Sequence, residues 1–265
     1  MTVLTPPGGG ARVALRHRRD VAHMSGEQLA VFQEAIRAAQ KVKDFDDRSY
    51  QYWSGIHGLP LPRSCHHFDS LFLPWHRAYL YFFEKDLQDL VPGVTLPWWN
   101  WVRPTPTSKG GVPAAYKKAP LASSRIQPTG RRNPNEDKTW RQEQPPTSNW
   151  LPTKAMVDTV LGNSSYVAFQ GQLENLHNGV HGWVGGTMND PNVAAYDPIF
   201  WAHHTMIDRL WYLWQLEHPG IRFSDEYLET ALPPFKMTVR QTLDINRLGY
   251  DYAVTTAAVD GPTRG

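Results

Sequence analysis

The sequence is poor in the features that assign a protein to a class at first sight. One cysteine, Cys65, stands among 265 residues, which argues against zinc fingers and iron–sulfur clusters because each needs several thiols. The 27 Lys and Arg residues nearly balance 25 Asp and Glu residues and are scattered, apart from a short basic run near the N-terminus, so the chain lacks a footprint for nucleic acid. The longest apolar runs are too short to span a membrane, and the N-terminus carries no signal peptide. We therefore expect a protein that binds neither nucleic acid nor membrane and that is cytoplasmic or exported by a carrier.

The sequence does contain a core-forming composition with many aromatic residues. Hydrophobic residues make up 41% of the chain, and 11 tryptophans accompany 11 tyrosines. This composition predicts a single domain over 1–265, with a core of about 20–255. The aromatic load suits a core that encloses something, although large aromatics also serve simply as packing. Residues 104–152 have little apolar periodicity and form a long irregular loop, which either rims a site or decorates the surface.

Capping residues, prolines and helical spacing of apolar residues predict a mainly α fold. Ser25 and Gln28 match a capping box, and Pro74 and Pro198 suit first turns of helices. The predicted helices cover about 26–41, 46–57, 74–90, 152–161, 165–181 and 197–215.

Histidines on these helices have the spacing of metal ligands. His177 and His181 stand four apart, so on a helix both imidazoles project the same way, about one turn apart. Such a pair alone is weak evidence, because many arise by accident on surfaces. On the 197–215 helix, Phe200, His204 and Asp208 share one stripe, a mixture that a purely structural helix rarely buries.

Together the histidines form two groups, and their chemistry narrows the metal. Six of them fall on helical or near-helical segments in two trios: His57, His67 and His76, then His177, His181 and His204. A set without carboxylates argues against a di-iron carboxylate site. Imidazole suits copper or zinc, but only a redox-active metal pair can hold dioxygen between the trios, which favours copper. A zinc hydrolase using one trio leaves the other unexplained.

Three segments resemble the copper-binding signatures of the type-3 copper family, which comprises tyrosinases, catechol oxidases and molluscan-type haemocyanin domains. They are His67-Phe-Asp-Ser-Leu-Phe-Leu-Pro-Trp-His76-Arg, His177-Asn-Gly-Val-His181 and Asp197-Pro-Ile-Phe-Trp-Ala-His-His204-Thr-Met-Ile-Asp208-Arg. The resemblance spans most of residues 50–215 and implies a four-helix bundle that holds a dinuclear copper site. By that pattern the first trio binds copper A, the second trio binds copper B, and O2 is a co-substrate.

The resemblance also distinguishes between neighbouring residues. It makes His204 the ligand, places His203 next to the ligands without binding the metal, and places Phe200 over the copper. A Cys-x-His at the place of Cys65 and His67 forms a thioether in fungal and haemocyanin members. We therefore predict a Cys65–His67 crosslink, with a buried free thiol as the alternative.

Polar residues beside the ligands are given roles in the same way. Asp208 is placed to accept a ring N–H from His204, with a surface ion pair to Arg209 as the alternative. In related tyrosinases a Glu and an Asn at the places of Glu174 and Asn178 hold a water proposed to deprotonate a monophenol, so both are expected to be catalytic. A solvated helix carboxylate is the alternative for Glu174.

One position departs from the family pattern. Many bacterial tyrosinases carry Arg immediately after the second copper B histidine, whereas this chain has Gly182. A small residue there is expected to open the pocket and to remove a cation that could meet a substrate carboxylate. Free tyrosine should then be a poorer substrate than decarboxylated or bulkier phenols.

A segment with two tyrosines stands near the end of the sequence. Tyr250-Asp-Tyr252 resembles a Tyr-x-Tyr segment that closes the core of longer relatives and packs against an N-terminal arginine, here Arg18 or Arg19. The C-terminal shielding domain of plant and fungal proenzymes is missing, so activity without proteolysis is expected. A separate copper chaperone is compatible with the sequence.

The resemblance implies an enzyme that acts on small phenols. The expected activity is that of a tyrosinase, which uses O2 to hydroxylate monophenols and to oxidise o-diphenols to o-quinones. A catechol oxidase or o-aminophenol oxidase without monophenolase activity is the alternative, and a haemocyanin-like oxygen carrier ranks below both.

Overall fold

Four helices surround the predicted histidine trios: α2 (Tyr50–His57), α3 (Phe72–Leu90), α5 (Tyr166–Val184) and α6 (Pro198–Glu217). The computed structural model describes residues 15–44, 46–61, 64–103, 111–126 and 137–252. The remaining helices are α1 (Gly26–Lys41), α4 (Lys154–Leu161), α7 (Asp225–Leu228) and α8 (Val239–Thr242). The mainly α fold with long irregular loops is thus confirmed. Within the described ranges, no helix is long and apolar enough to cross a membrane.

Local side-chain chemistry sets where the helices begin. The carboxylate of Asp197 accepts a hydrogen bond from the backbone N–H of Ile199, and Pro198 occupies the first turn of α6. Helix α2 begins later than predicted, because the Ser49 hydroxyl accepts from the backbone N–H of Tyr52, whereas Asp46 binds Arg48. Helix α6 is buried on nearly all sides, which places it at the centre of the bundle.

The two described ends of the chain meet in a parallel two-stranded sheet of β1 (Arg16–Arg18) and β2 (Tyr250–Tyr252). The buried guanidinium of Arg18 lies 3.6 Å from the ring centroid of Tyr250 and donates to the Tyr252 hydroxyl at 3.1 Å. Arg18 is therefore the arginine that meets the Tyr-x-Tyr segment. The same guanidinium pairs with Glu84 of α3, which ties the sheet to the bundle.

The irregular region between α3 and α4 packs against the bundle where the structure describes it. Its described residues contain a short 3-10 helix, Ala114–Lys117, and otherwise irregular backbone. Gln142 and Gln144 donate backbone hydrogen bonds to the carbonyls of Val184 and Trp183, both at 2.9 Å. Residues 142–144 therefore form a wall along the C-terminal end of α5.

Candidate metal centre

The first trio comes from two helices and the loop between them. His57 is the last residue of α2, His76 lies on α3, and His67 stands in the connecting loop. Their ring centroids are 5.2 to 5.6 Å apart. All three Nε2 atoms are buried and have no hydrogen-bond partner among the described residues. Buried nitrogens without partners are costly unless another ligand takes them up.

The backbone anchors the opposite ring nitrogen, Nδ1, in two of these three histidines. Nδ1 of His57 lies 3.0 Å from the carbonyl oxygen of Pro191, and Nδ1 of His76 lies 2.8 Å from that of Phe72. Because a carbonyl oxygen can only accept, each Nδ1 carries the proton and each Nε2 presents a lone pair. This is the tautomer that a metal ligand needs.

The second trio lies on two neighbouring helices. Nε2 of His177 is 3.0 Å from Nε2 of His181 on α5 and 3.2 Å from Nε2 of His204 on α6. Nδ1 of His181 donates to the carbonyl of Met188 at 2.6 Å, and Nδ1 of His177 lies 3.0 Å from Oδ1 of Asn178. Nε2 of His177 and Nε2 of His181 therefore each present a lone pair, and the two nitrogens are 3.0 Å apart. A cation bound by both nitrogens would stabilise this arrangement.

The two trios face each other across a narrow gap. The rings of His76 and His204 are stacked with centroids 4.5 Å apart and planes at 14°. Phe200 fills one side, with its ring centroid 4.1 Å from that of His204 and 4.9 Å from that of His57. The structure thus brings all six predicted histidines and Phe200 into one buried cluster.

Burial keeps most of these imidazoles in the neutral form. It holds the pKa of His76, His177 and His204 well below the usual value, helped by neighbouring histidines, and it lowers the pKa of His181 to about 3. His67 differs. Burial alone would lower its pKa, but hydrogen bonds and charge interactions with Cys65 and Glu174 raise it to about 9. Neutral imidazole is the form that binds metals.

Two further possible ligands, His203 and Cys65, lie close to the trios. His203 is fully buried, neither ring nitrogen has a partner among the described residues, and its ring stacks on His177 at 4.9 Å. Its donor atoms lie close enough to those of the second trio to share one ion. Cys65 forms such a group with His57 and His67. The thioether between Cys65 and His67 stays a prediction, which this proximity allows.

Glu174 lies beside His67 and is almost fully buried. Its Oε1 accepts from the backbone N–H of Phe68 at 2.7 Å and lies 3.5 Å from Nδ1 of His67. Its Oε2 accepts from the side-chain amide of Gln170 at 2.8 Å. Phe68 has a φ of +60°, a backbone conformation that non-glycine residues adopt at some cost. Glu174 therefore holds the loop that presents His67.

Asp208 does not serve His204, so the expectation that it accepts the ring N–H of that ligand is wrong. Its carboxylate accepts from Arg77 of α3, from Arg18 and from the hydroxyls of Tyr250 and Tyr252. Groups from α3, β1 and β2 therefore surround the carboxylate.

Arg209, the alternative partner of Asp208, lies elsewhere. Its guanidinium stacks over Trp98 at 4.3 Å from the ring centroid. The surface ion pair considered for Asp208 is therefore also wrong, since Asp208 is 4% exposed and bound to other arginines.

The space above Gly182 is filled, so the expectation of a pocket opened by this glycine is also wrong. A Cβ atom at position 182 would lie 2.0 Å from ring carbon Cζ3 of Trp150. The indole comes from the irregular 140–152 segment, which the sequence predicted only as a loop. No pattern in the sequence points to Trp150. Gln170 was detectable, because it stands four residues before Glu174 on the same helix face, but it is not among the predicted site residues.

The protein is a helical bundle whose core holds a cluster of histidines able to bind metal. Residues 47–217 match the family model described as the common central domain of tyrosinase. A tyrosinase of Streptomyces galbus is 35% identical over 71% of this chain and 74% of its own length. The chain therefore belongs to the tyrosinase family, whose members are type-3 copper proteins with two coppers.

Other relatives place the chain more broadly in this group. It is 26% identical to hemocyanin 2 of Megathura crenulata over 89% of this chain, but spans only 8% of that protein and 65% of a Streptomyces glaucescens tyrosinase. The structure of a tyrosinase from Burkholderia thailandensis matches 94% of this chain and 76% of its own, with a TM-score of 0.79 and 24% identity. A functional unit of octopus hemocyanin matches with a TM-score of 0.76 and 24% identity. Both structures share the fold.

Proposed function

We propose that this chain is a copper-dependent phenol oxidase that uses O2 to hydroxylate monophenols to o-diphenols and to oxidise o-diphenols to o-quinones. The observation that carries the proposal is the pair of facing imidazole trios, whose Nε2 atoms converge within a buried cluster. In the hydroxylation step one oxygen atom of O2 enters the ring in place of a hydrogen and the other leaves as water; the two electrons this requires come from the o-diphenol so formed, which is released as the o-quinone. In the oxidase step two o-diphenols each lose two electrons and two protons, and one O2 takes them up to give two waters. Membership of the tyrosinase family supports this choice.

The donor set fits two copper ions. His57, His67 and His76 would hold one copper, and His177, His181 and His204 the other, because imidazole nitrogens suit copper and, among the described residues, no carboxylate joins either group of candidate ligand atoms. When bound, the two coppers would supply the redox chemistry toward dioxygen. The backbone-anchored Nδ1 atoms of His57, His76 and His181 orient their rings, and Phe200 excludes water from one side.

For monophenols the chain must also accept the phenolic proton. We assign this to Glu174 together with Asn178, which lie beside His67 and His177 respectively. Oδ1 of Asn178 is directed at Nδ1 of His177, so its amide N–H₂ is oriented to hold an oxygen near the second trio. The Glu174 carboxylate, next to the first trio, is the base in this proposal.

A second candidate is a catechol or o-aminophenol oxidase without monophenolase activity. Both oxygens of Glu174 already accept hydrogen bonds, from Phe68 and from Gln170. A carboxylate engaged in this way is a weaker base toward a substrate proton. Oxidation of an o-diphenol includes no hydroxylation step, so it does not depend on Glu174 as the base for that step.

Oxygen uptake by the copper-reconstituted protein separates the candidates. Tyramine is offered with a trace of o-diphenol as primer, and the o-diphenol alone serves as reference. Sustained uptake on tyramine with o-quinone formation supports the tyrosinase. Uptake on the o-diphenol alone supports the second candidate, whereas reversible O2 binding without turnover of either phenol contradicts the enzyme proposal and favours a carrier.

A further inference from the structure

An irregular segment is fixed against the helix that carries two of the histidines. Residues 140–152 run beside the C-terminal half of α5, held by the backbone bonds of Gln142 and Gln144 described above. At its far end, Arg103 donates to Oδ1 of Asn149 at 3.2 Å, and its backbone N–H donates to the carbonyl of Pro152 at 2.8 Å. Bonds near both ends therefore hold the residue between them, Trp150, in a defined position.

Trp150 rests on two glycines of α5 that leave room for it. Its carbonyl oxygen would lie 2.8 Å from a Cβ atom at Gly179, and its ring carbons Cζ3 and Cε3 would lie 2.0 and 2.3 Å from one at Gly182. Any larger residue at 182 must displace the indole. Even so seated, Trp150 is 54% exposed, so one part of its aromatic surface faces solvent.

This seat lies next to the second trio along α5. Gly182 directly follows His181 and lies one helical turn beyond Asn178. His181 is 9% exposed, against 1% for His177 and His204. The indole therefore packs on α5 beside the position of His181, the histidine of the second trio that solvent reaches most readily.

We propose that Trp150 is a specificity-determining residue whose exposed indole surface contacts the para substituent of the phenol. This inference rests on the proposed phenol oxidase function. An aromatic surface stabilises an apolar arm by burial and a cationic arm by its electron-rich face, but it offers nothing to a carboxylate. The preferred substrates are therefore phenols with apolar or aminoalkyl arms, because the indole fills the space beside Gly182.

The test measures binding apart from turnover. Zinc-reconstituted protein keeps the site filled but is redox-inert, so calorimetry can titrate it with phenol and with 4-butylphenol. The variants are Trp150→Ala, which removes the indole, and Gly182→Ala, whose added methyl group displaces it. Trp140→Ala is the matched control, since Trp140 is also 54% exposed on the same segment but lies against Gly186, beyond the end of α5.

The expected result is a change in preference and not in basal affinity. Trp150→Ala and Gly182→Ala should each lower the affinity ratio of 4-butylphenol to phenol by about five- to tenfold, the size of a lost aromatic contact. Trp140→Ala should leave the ratio unchanged. An unchanged ratio in Trp150→Ala, or an equal loss in Trp140→Ala, overturns the inference. If the wild-type protein binds neither phenol, the proposed function itself fails and this inference falls with it.

Discussion

Replacing Glu174 by Gln should weaken the binding of one copper and leave the other in place. Glu174 is 2% exposed, and its Oε1 lies 3.5 Å from Nδ1 of His67. The substitution keeps the shape of the side chain and an oxygen that can accept from the backbone N–H of Phe68. It removes the negative charge that orients and polarises His67, while the second trio keeps all of its partners.

The expected magnitude follows from the position of Glu174 one contact behind a ligand. Loss of such a partner typically weakens metal binding by about 10- to 100-fold, which corresponds to about 1.4 to 2.7 kcal/mol. Glu174→Ala should do more, because it leaves the Phe68 N–H and the Gln170 amide without an acceptor. That loss should lower the free energy of unfolding by a further ~1 to 3 kcal/mol.

Copper content after dialysis against graded chelator concentrations is the assay. Wild type should release its two coppers at similar chelator concentrations, whereas Glu174→Gln should release one of them at a clearly lower concentration. Glu217→Gln, on an exposed carboxylate at the end of α6, is the control and should match wild type. If Glu174→Gln keeps both coppers at wild-type chelator concentrations, the assignment of Glu174 to the support of His67 is refuted.

Three further variants test other parts of the structure. Burial alone would raise the pKa of Asp208, but Arg77 and Arg18 hold it below its usual value. Asp208→Asn should therefore lower the free energy of unfolding by about 3 to 5 kcal/mol at neutral pH. The gap to wild type, measured by denaturant titration, should begin to narrow below about pH 4, the pKa of an unfolded Asp, and should be lost as the pH falls through the lowered pKa of folded Asp208; a gap that does not narrow at acid pH contradicts this. His67→Ala should lose one copper by elemental analysis, whereas His66→Ala should keep both, because His66 is bound to Asp69 outside the trio; equal losses would sink the choice of ligand. Copper-loaded protein with the Cys65–His67 crosslink should be lighter than its sequence by one pair of hydrogens in denatured intact mass, a difference absent in Cys65→Ala, and a fully alkylatable Cys65 rules the crosslink out.

The parts of the site that local spacing controls were accessible from the sequence. His177 and His181 project together because they are four apart on one helix, and Pro198 after a capping Asp197 marks the start of the helix that carries His204. Such relations depend only on helical geometry and capping. Local spacing therefore predicts the ligand-bearing helices, whereas the assignment of the two trios to a dinuclear site is what the resemblance to the type-3 copper family implies.

The roles that failed depend on contacts between distant segments. Helical spacing pairs Asp208 with His204 or Arg209 on the same helix. Its actual partner Arg77 lies 131 positions earlier in the chain, so spacing within α6 cannot reveal it. Likewise, Gly182 looked open because no local pattern shows that the irregular 140–152 segment returns across α5. Segments without periodicity carry no local signal of where they pack, so the position of Trp150 on α5 does not follow from the sequence.

If the two facing imidazole trios hold two coppers, anomalous diffraction from a crystal of the copper-reconstituted protein, recorded on both sides of the copper absorption edge, will locate both ions. Two peaks are expected, each about 2.0 Å from three Nε2 atoms, as is usual for metal–imidazole bonds. The ligands of one peak should be His57, His67 and His76, and those of the other His177, His181 and His204. A single peak, or a peak ligated by His203 in place of His204, would contradict this assignment.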